Sequence, residues 1–355
     1  MKTKNLFFGL LSSLLLLGCD RDEGPTYGTP TAYNYPTYNT IPMLRLPQDN
    51  IPTQEGVRLG KKLFFDANLS RNGTQSCGSC HNQQFAFTDN LLAVSIGING
   101  QEGSRNSMPL FNLMWHNEFF WDGRAATLRE QALMPIEDPL EMDHSLEAVV
   151  QYLSNHNEYP DLFGFAFGTP EVNKERIGLA LEQFMLTLIS GDSKYDRFLR
   201  GEEQLTDAEE RGRLLFFTEV SPTTPGQGAD CFHCHGGGLF TNNQFINNGL
   251  DENLTDLGYY EVTGLEFDKG KFKTPSLRNI AVSGPYMHDG RFQTLEEVIE
   301  HYNSGVAANS PNLDPNMHAL EDGLGLTQQQ KDDLIAFLHT LTDYTYLNNP
   351  EYQAN

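Results

Sequence analysis

The sequence has few cysteines and few positive charges. Among 355 residues there are only 5 cysteines, and 24 lysines and arginines stand against 47 aspartates and glutamates. Four of the cysteines fall in two short motifs, so no pair remains for a disulfide. The net charge of −23 and the lack of a basic stripe argue against nucleic acid as a partner. This acidity suits a basic partner, or it only maintains solubility.

Long hydrophobic runs are missing beyond the N-terminus. The one apolar run, residues 6–17, follows Lys2 and Lys4 and is shorter than the roughly 20 residues that span a bilayer. This pattern is typical of an export signal, and Leu16-Leu17-Gly18-Cys19 resembles a bacterial lipobox. We therefore predict a signal peptide over residues 1–18, a lipid anchor on Cys19 that attaches the protein to a membrane, a flexible tether over residues 19–44, and a location in the periplasm or cell envelope.

Two Cys-x-x-Cys-His motifs occur, at residues 77–81 and 231–235. Two thiols three positions apart lie on one side of a helical turn, where both can add to the vinyl groups of one porphyrin. The adjacent histidine then reaches the iron as its proximal ligand. The motifs predict two covalently bound haem c groups, held by Cys77, Cys80 and His81 and by Cys231, Cys234 and His235.

Other uses of paired cysteines do not fit this spacing. A zinc ribbon separates its two pairs by roughly 15–20 residues, whereas Cys80 and Cys231 are 231 − 80 = 151 positions apart. A thioredoxin-like site requires no following histidine and gives no reason for a second copy. Haem attachment is therefore the favoured interpretation.

An internal repeat accompanies the two motifs. Gly-Lys-Lys-Leu-Phe-Phe at residues 60–65 precedes the first, and Gly-Arg-Leu-Leu-Phe-Phe at residues 212–217 precedes the second. After the motifs, residues 122–130 and 289–297 match as Asp-Gly-Arg-x-x-Thr-Leu-x-Glu. A repeat of this length indicates a duplicated domain. Capping boxes and apolar stripes of helical period predict a mainly α fold with few, short strands.

The order of the motifs resembles the bacterial di-haem cytochrome c peroxidases, a superfamily that includes MauG-type enzymes, which oxidise protein tryptophans. The resemblance covers roughly residues 45–345 and rests on both haem motifs together with residues 120–125, 139–142 and 284–290. It implies two cytochrome c-like domains, a peroxidatic one over residues 45–200 and an electron-transfer one over residues 201–355. It also implies a calcium ion between them, bound by Asn106, Ser283 and Pro285.

The resemblance raises the question of a second axial ligand at the N-terminal haem. Many members of the family place a loop histidine there, at a position that falls near Gly97 in this sequence. No histidine occurs between His81 and His116, so we predict an open iron face. His116 is the remaining candidate ligand, but its place beside Trp115 favours a structural role.

Three further residues take roles from the resemblance. Glu141 stands where the family has a glutamate above the open iron face, and it is expected to move protons during cleavage of the peroxide bond. Pro135 is expected to line the same pocket. Trp121 is expected to relay electrons between the haems, with packing between domains as its alternative or additional role.

The sixth ligand of the C-terminal haem is predicted to be Tyr302. The family places methionine, or tyrosine in its tryptophan-modifying members, fourteen residues after the histidine that corresponds to His288, and 288 + 14 = 302. The alternative is a buried core tyrosine, with a different ligand. The alternative ligands are Met287, His288 and Met317. Tyr302 is expected to face inward, because it ends an apolar helical stripe formed by Leu295, Val298, Ile299 and Tyr302.

These residues together predict an exported di-haem peroxidase. Hydrogen peroxide is reduced at the N-terminal haem, with electrons relayed through the C-terminal haem from a small redox protein. The first alternative is a MauG-type oxidase that modifies side chains of a partner protein, which Tyr302 favours. The second is a di-haem electron carrier or sensor without enzyme activity, which an open iron face beneath Glu141 opposes.

Overall fold

The computed structural model describes residues 25–89, 91–221, 223, 226–318 and 323–354. The predicted signal peptide and Cys19 lie outside these residues. The described chain is mainly helical, which confirms the predicted fold class. Its strands are β1 (Phe245–Ile246) and β2 (Phe272–Lys273), which pair antiparallel. No helix in the described ranges is long and apolar enough to cross a membrane.

The first half of the chain packs around one long helix pair. Gly60 permits this contact, because a Cβ atom there would lie 1.9 Å from the carbonyl oxygen of Ala180. The pair consists of the first and sixth helices, and the third helix packs on the sixth. The helices are α1 (Gln54–Phe64), α2 (Cys77–Cys80), α3 (Leu128–Glu137), α4 (Leu146–Asn155), α5 (Tyr159–Phe167), α6 (Lys174–Met185) and α7 (Lys194–Leu199).

The second half repeats this arrangement. Gly212 permits the close approach of its principal helix pair, because a Cβ atom there would lie 1.9 Å from the carbonyl oxygen of Asp333. That pair is α8 with α13. The helices are α8 (Asp207–Phe216), α9 (Phe232–His235), α10 (Tyr260–Thr263), α11 (Leu295–Glu300), α12 (Pro315–His318), α13 (Gln328–His339) and α14 (Tyr344–Leu347).

The two halves also share their local turns. Thr127 and Thr294 cap α3 and α11, and each cap forms a reciprocal box with a glutamate three residues later. Seven residues before these caps, Phe120 and Met287 both have positive φ angles, 67° and 73°. Bulky residues adopt this conformation only where the surrounding structure requires it. The duplication seen in the sequence therefore extends to unusual backbone positions.

Two hydrophobic clusters form the core. The first contains residues between 59 and 189 together with Tyr346, Leu347 and Tyr352, and the second contains residues between 195 and 341. The end of the chain thus packs into the first cluster. A buried ion pair joins Arg278 to Asp196 of α7, and both side chains are about 1% exposed. The predicted boundary at residue 200 stays a prediction.

The described part of the predicted tether differs from a flexible linker. The Tyr27 hydroxyl donates to Asp161, and the carbonyl oxygen of Met43 accepts from Trp115 Nε1 at 3.0 Å. Between these points, Ala32 forms a bridge with Thr53. Tyrosines anchor this segment, since Tyr27 packs edge-on against Phe165 and Tyr35 and Tyr38 pack against the first hydrophobic cluster. The segment from Tyr27 to Met43 is therefore a strap bound to the first half.

Candidate functional site

The first Cys-x-x-Cys-His motif forms a single helical turn followed by its histidine. Cys77 and Cys80 are at the two ends of α2, and neither is in a disulfide. His81 Nδ1 lies 2.6 Å from the carbonyl oxygen of Phe87, so Nδ1 carries the proton and donates. Burial lowers the pKa of His81. The ring is therefore held neutral, with the lone pair of Nε2 free for a metal.

A large cavity opens beside this motif. It has two parts of about 1100 and 630 Å³, including their openings to solvent, and both parts are lined by Cys80, His81, Pro135 and Glu141. Cys77 lines the smaller part. The cavity therefore brings together four residues that the sequence assigned to one haem site, along with the proline predicted to border it.

Glu141 is one of two acids that line this cavity, the other being Asp138. It follows the end of α3, and its backbone carbonyl accepts a hydrogen bond from Ile98 N–H at 2.9 Å. Burial raises the pKa of the Glu141 carboxyl to about 7, with a contribution from Asp138 that Arg124 opposes. A carboxyl with this pKa exchanges protons readily near neutral pH.

The loop opposite Glu141 leaves no room for a side chain at Gly97. A Cβ atom there would lie 2.0 Å from the carbonyl oxygen of Leu140 and 2.9 Å from that of Glu141. His116 also lines the cavity, but its Nδ1 lies 3.0 Å from Lys273 Nζ. Because the lysine can only donate, Nδ1 accepts, and the proton of a neutral ring is then on Nε2.

The second motif has the same geometry. Cys231 is the N-cap of α9, Cys234 lies within that helix, and neither is in a disulfide. His235 Nδ1 lies 3.3 Å from the carbonyl oxygen of Phe240. Burial lowers the pKa of His235 to about 4, so its ring is neutral. Two cavities of about 1170 and 590 Å³ meet here, and Cys231, His235 and Tyr302 line both.

Tyr302 lies in a π-helical turn, His301–Gly305, that follows α11. Its hydroxyl oxygen accepts a hydrogen bond from Asn248 Nδ2 at 3.2 Å, and Met287 Sδ lies 3.5 Å from the same nitrogen. Two of the ligand candidates therefore meet at one amide. Of the other two, His288 stacks on Phe272 with ring centroids 3.7 Å apart, and Met317 lines the smaller cavity.

The repeat gives Pro135 and Tyr302 equivalent positions. Each stands eight residues after its helix cap, Thr127 or Thr294. Proline has no side-chain donor atom, whereas a tyrosine oxygen can bind iron. The same place in the fold thus holds a residue without a side-chain donor atom in one cavity and a tyrosine oxygen in the other. The sequence repeat already aligns the two caps, and the same offset relates Pro135 to Tyr302.

Four residues line both the N-terminal cavity and the larger C-terminal one. They are Asn106, Pro109, Trp121 and Lys273. Trp121 is 8% exposed, its Nε1 donates to the carbonyl oxygen of Asn106 at 2.9 Å, and its own carbonyl accepts from Lys273 N–H at 2.8 Å. The indole is therefore fixed between the two cavities, which suits both of its predicted roles.

The predicted calcium ligands surround one part of the C-terminal cavity. Asn106, Ser283 and Pro285 all line it. The side-chain amide nitrogen of Asn106 donates hydrogen bonds to the carbonyl oxygens of Leu92 and Ala93. Its Oδ1 atom is therefore the one that can coordinate a cation. Within the described ranges, no cluster of three or more His, Cys, Asp or Glu side chains is placed to hold a metal ion. The calcium site stays a prediction.

Arg105 is a residue that sequence reasoning missed. Its guanidinium binds Asp122, beside Trp121, and also Asp256 at 2.7 Å and Glu261 at 3.1 Å. The contacts with Asp256 and Glu261 join segments about 150 residues apart in the chain. The sequence offered one hint, namely that Arg105 precedes Asn106, a predicted calcium ligand. The partners Asp256 and Glu261 follow no periodic pattern that would have indicated the contact.

The donor sets in the two cavities fit haem c. Each presents two unpaired cysteine sulfurs and one neutral histidine whose Nδ1 is already bound by a backbone carbonyl. Apolar surface predominates in the larger C-terminal cavity, as a porphyrin requires. Thiols and imidazole of this arrangement suit covalent attachment and axial ligation of iron.

Comparisons with known proteins agree with this assignment. Residues 54–204 match the family described as di-haem cytochrome c peroxidase. The chain is 38% identical over 301 residues to the methylamine utilization protein MauG of Methylorubrum extorquens, covering 83% of this chain and 80% of that protein. It is 34% identical over 289 residues to cytochrome c551 peroxidase of Nitrosomonas europaea, covering 80% and 79%.

A solved structure shows the same similarity over most of the chain. The crystal structure of a MauG-like protein associated with microbial copper homeostasis matches with a TM-score of 0.82 and 36% identity, covering 91% of this chain and 99% of that one. This protein belongs to the di-haem cytochrome c peroxidase family. Membership implies two covalently bound haem c groups.

Proposed function

We propose that this protein is an exported di-haem peroxidase that reduces hydrogen peroxide at the N-terminal site, with electrons relayed through the C-terminal site. The observation that carries this proposal is the asymmetry of the two cavities. Pro135, which has no side-chain donor atom, lines the cavity of His81 together with Glu141, and Tyr302 has the equivalent position in the cavity of His235. We therefore propose an open iron face in the first cavity and a Tyr302 ligand in the second. Relatives named cytochrome c551 peroxidase support the same activity.

The reaction requires proton movement, which we assign to Glu141. Haem iron, when bound, supplies the redox chemistry that cleaves the oxygen–oxygen bond. The Glu141 carboxylate takes the proton from the inner oxygen of the peroxide and returns it to the outer oxygen, which leaves as water. Two electrons and two further protons complete the reduction of hydrogen peroxide to two water molecules. A pKa of about 7 makes both protonation states of Glu141 accessible.

Trp121 is proposed to carry the electrons between the two sites. Its indole lies between the cavities, and hydrogen bonds hold it at both its side chain and its backbone. The electron donor is proposed to be a small redox protein with a basic surface, since the chain carries a net charge of −23. We also propose that the lipid anchor on Cys19 places the protein in the periplasm or cell envelope, and that Asn106, Ser283 and Pro285 hold calcium.

Steady-state turnover tests the function. The protein loaded with both haems is mixed with hydrogen peroxide and a reduced small cytochrome, and oxidation of the cytochrome is followed. Saturable oxidation that depends on peroxide supports the proposal. If peroxide oxidises the protein itself but no cytochrome or cupredoxin is ever turned over, peroxide reduction as the function is contradicted.

A second candidate is oxidation of side chains on a partner protein. Tyr302 beside the C-terminal cavity favours it, because a phenolate ligand stabilises a higher iron charge than methionine does and therefore suits storage of oxidising equivalents. A relative named MauG supports this candidate. It predicts slow turnover with small cytochromes and a peroxide-treated protein that stays oxidised until a partner supplies electrons.

Replacing Tyr302 by phenylalanine tests its ligation. We expect the low-spin ferric signal of the C-terminal haem in electron paramagnetic resonance (EPR) to be lost or replaced, because the phenolic oxygen is removed. Tyr286→Phe is a matched control, since Tyr286 lines the same cavity but donates its hydroxyl to Ile280. A low-spin signal unchanged by Tyr302→Phe would eliminate Tyr302 and leave Met287 as the nearest alternative.

Replacing Gly97 by alanine tests the support of Glu141. The new methyl group would meet the Leu140–Glu141 backbone, so the Glu141 segment must move. A displacement of about 1 Å is expected to lower turnover by about 10²-fold. Gly103→Ala is the control, because a Cβ atom there makes an ordinary contact of 3.5 Å with Ser95. Equal turnover in the two variants would show that Gly97 does not position Glu141.

A further inference from the structure

Lys273 is a buried cation without a paired anion. It is 2% exposed, and its ammonium group contacts His116 Nδ1 at 3.0 Å and the carbonyl oxygen of Glu118. Both contacts are to neutral acceptors. Among the described residues, no carboxylate forms an ion pair with this lysine, whereas Lys271, two positions earlier, pairs with Asp268.

Such an arrangement is unfavourable unless another group supplies the opposite charge. Removing an ammonium group from water is costly, and two neutral acceptors offset only part of that cost. An ammonium also has three N–H donors, of which these contacts use two. Burial lowers the pKa of Lys273 to about 8, and the charge of Glu118 opposes this shift only in part. A protein that retains lysine here is expected to meet an anion at this point.

The location of Lys273 indicates which anion that is. Lys273 lines both the N-terminal cavity and the larger C-terminal one, and its backbone N–H donates to the carbonyl oxygen of Trp121. Haem carries two propionate side chains, and these carboxylates are the only anionic groups that the cofactor itself brings to either cavity. Arg105 and Arg124 also line the N-terminal cavity, but both are paired with Asp122. Of these three cations, Lys273 alone has no carboxylate partner to compete with a propionate.

We propose that Lys273 is the counter-charge for a haem propionate between the two cavities and that, as a positioning residue, it sets the reduction potentials of the haems on either side of Trp121. A cation close to a redox centre stabilises the reduced state, because reduction adds a negative charge. His116 orients the ammonium through Nδ1. The inference rests on the two-haem cofactor set and on the relay role proposed for Trp121, and not on peroxide chemistry.

Redox titration of the loaded protein tests the proposal. Lys273→Met removes the charge and keeps the length of the side chain. Both midpoint potentials are expected to become more negative. For at least one haem the equilibrium constant of reduction is expected to fall about tenfold, which corresponds to 59 mV for a one-electron couple. Lys271→Met also removes one positive charge, and its effect is expected to be less than about threefold, because Lys271 is paired with Asp268 and lines neither cavity.

The outcomes separate clearly. Potentials of Lys273→Met that match those of the wild type, or that shift no more than those of Lys271→Met, would overturn the proposal. If Lys273→Met does not incorporate both haems, Lys273→Gln and Lys273→Arg decide. If only Lys273→Arg incorporates both haems, a positive charge is required at this position and the proposal is supported. The proposal is contradicted if neither variant incorporates both haems, or if both variants do so and their potentials do not shift. Peroxide plays no part in these titrations, so failure of the peroxidase proposal would be seen separately, in steady-state turnover.

Discussion

Glu141→Gln is expected to lower the rate of peroxide turnover by about 10²–10⁴-fold, the usual contribution of a positioned acid–base group. Glutamine has the same shape but can neither accept a proton from the inner oxygen of peroxide nor return it to the leaving oxygen. The measurement is kcat with hydrogen peroxide and a reduced donor, together with haem content. Glu137→Gln, on the exposed side of the same helix end, is the matched control and is expected to retain activity.

The activity is expected to depend on pH through the protonation of Glu141. The carboxylate form of Glu141 is the one that accepts a proton, and burial raises its pKa to about 7. We therefore expect kcat/KM to fall as the pH decreases through about 7, and the free-enzyme profile to report this group. Because Asp138 contributes to the raised pKa, Asp138→Asn is expected to move the profile to lower pH. A profile flat from pH 5 to 8 would exclude Glu141 as the base.

Trp121→Phe is expected to slow electron transfer between the two sites by at least about tenfold, equivalent to an added barrier of about 1.4 kcal/mol. Phenylalanine fills most of the same space but is much harder to oxidise than indole. It also leaves the carbonyl oxygen of Asn106 without its donor. Stopped-flow absorption after a single addition of peroxide to the half-reduced protein measures how fast the C-terminal haem is oxidised.

The chain provides a suitable control for this variant. Its other tryptophan, Trp115, is 7% exposed and also donates its indole N–H to a backbone carbonyl, that of Met43. It does not line the cavities on either side of Trp121. Trp115→Phe is expected to match the wild type in transfer rate. Equal slowing in both variants would indicate that packing, and not the identity of the residue at 121, controls the transfer.

The haem motifs and the duplication were predictable because they are local patterns. Two thiols and a histidine at fixed spacing define an attachment turn, and the repeated glycines at 60 and 212 mark helix crossings that the structure shows. The role of Glu141 could be predicted only from the resemblance to a family, because a single acidic residue far from the haem motifs does not by itself indicate catalysis. The cavity now gives it a physical environment, with burial that raises its pKa.

Other features required three-dimensional contacts. Lys273 follows both motifs by dozens of residues and reaches His116, 157 positions earlier, so no spacing rule connects them. Asn248 lies in a loop without periodicity and yet donates to Tyr302. The strap from Tyr27 to Met43 has the composition of a linker, yet Asp161 and Trp115 bind its two ends. In each case the decisive interaction is between distant segments, and local propensity contains no information about it.

The asymmetry of the two sites is the central claim, and an EPR spectrum of the resting ferric protein tests it most directly. An open face opposite His81 and a Tyr302 oxygen opposite His235 predict one high-spin and one low-spin haem in equal amounts. Two low-spin haems would contradict the claim, because they would show that a protein ligand closes the cavity beneath Glu141.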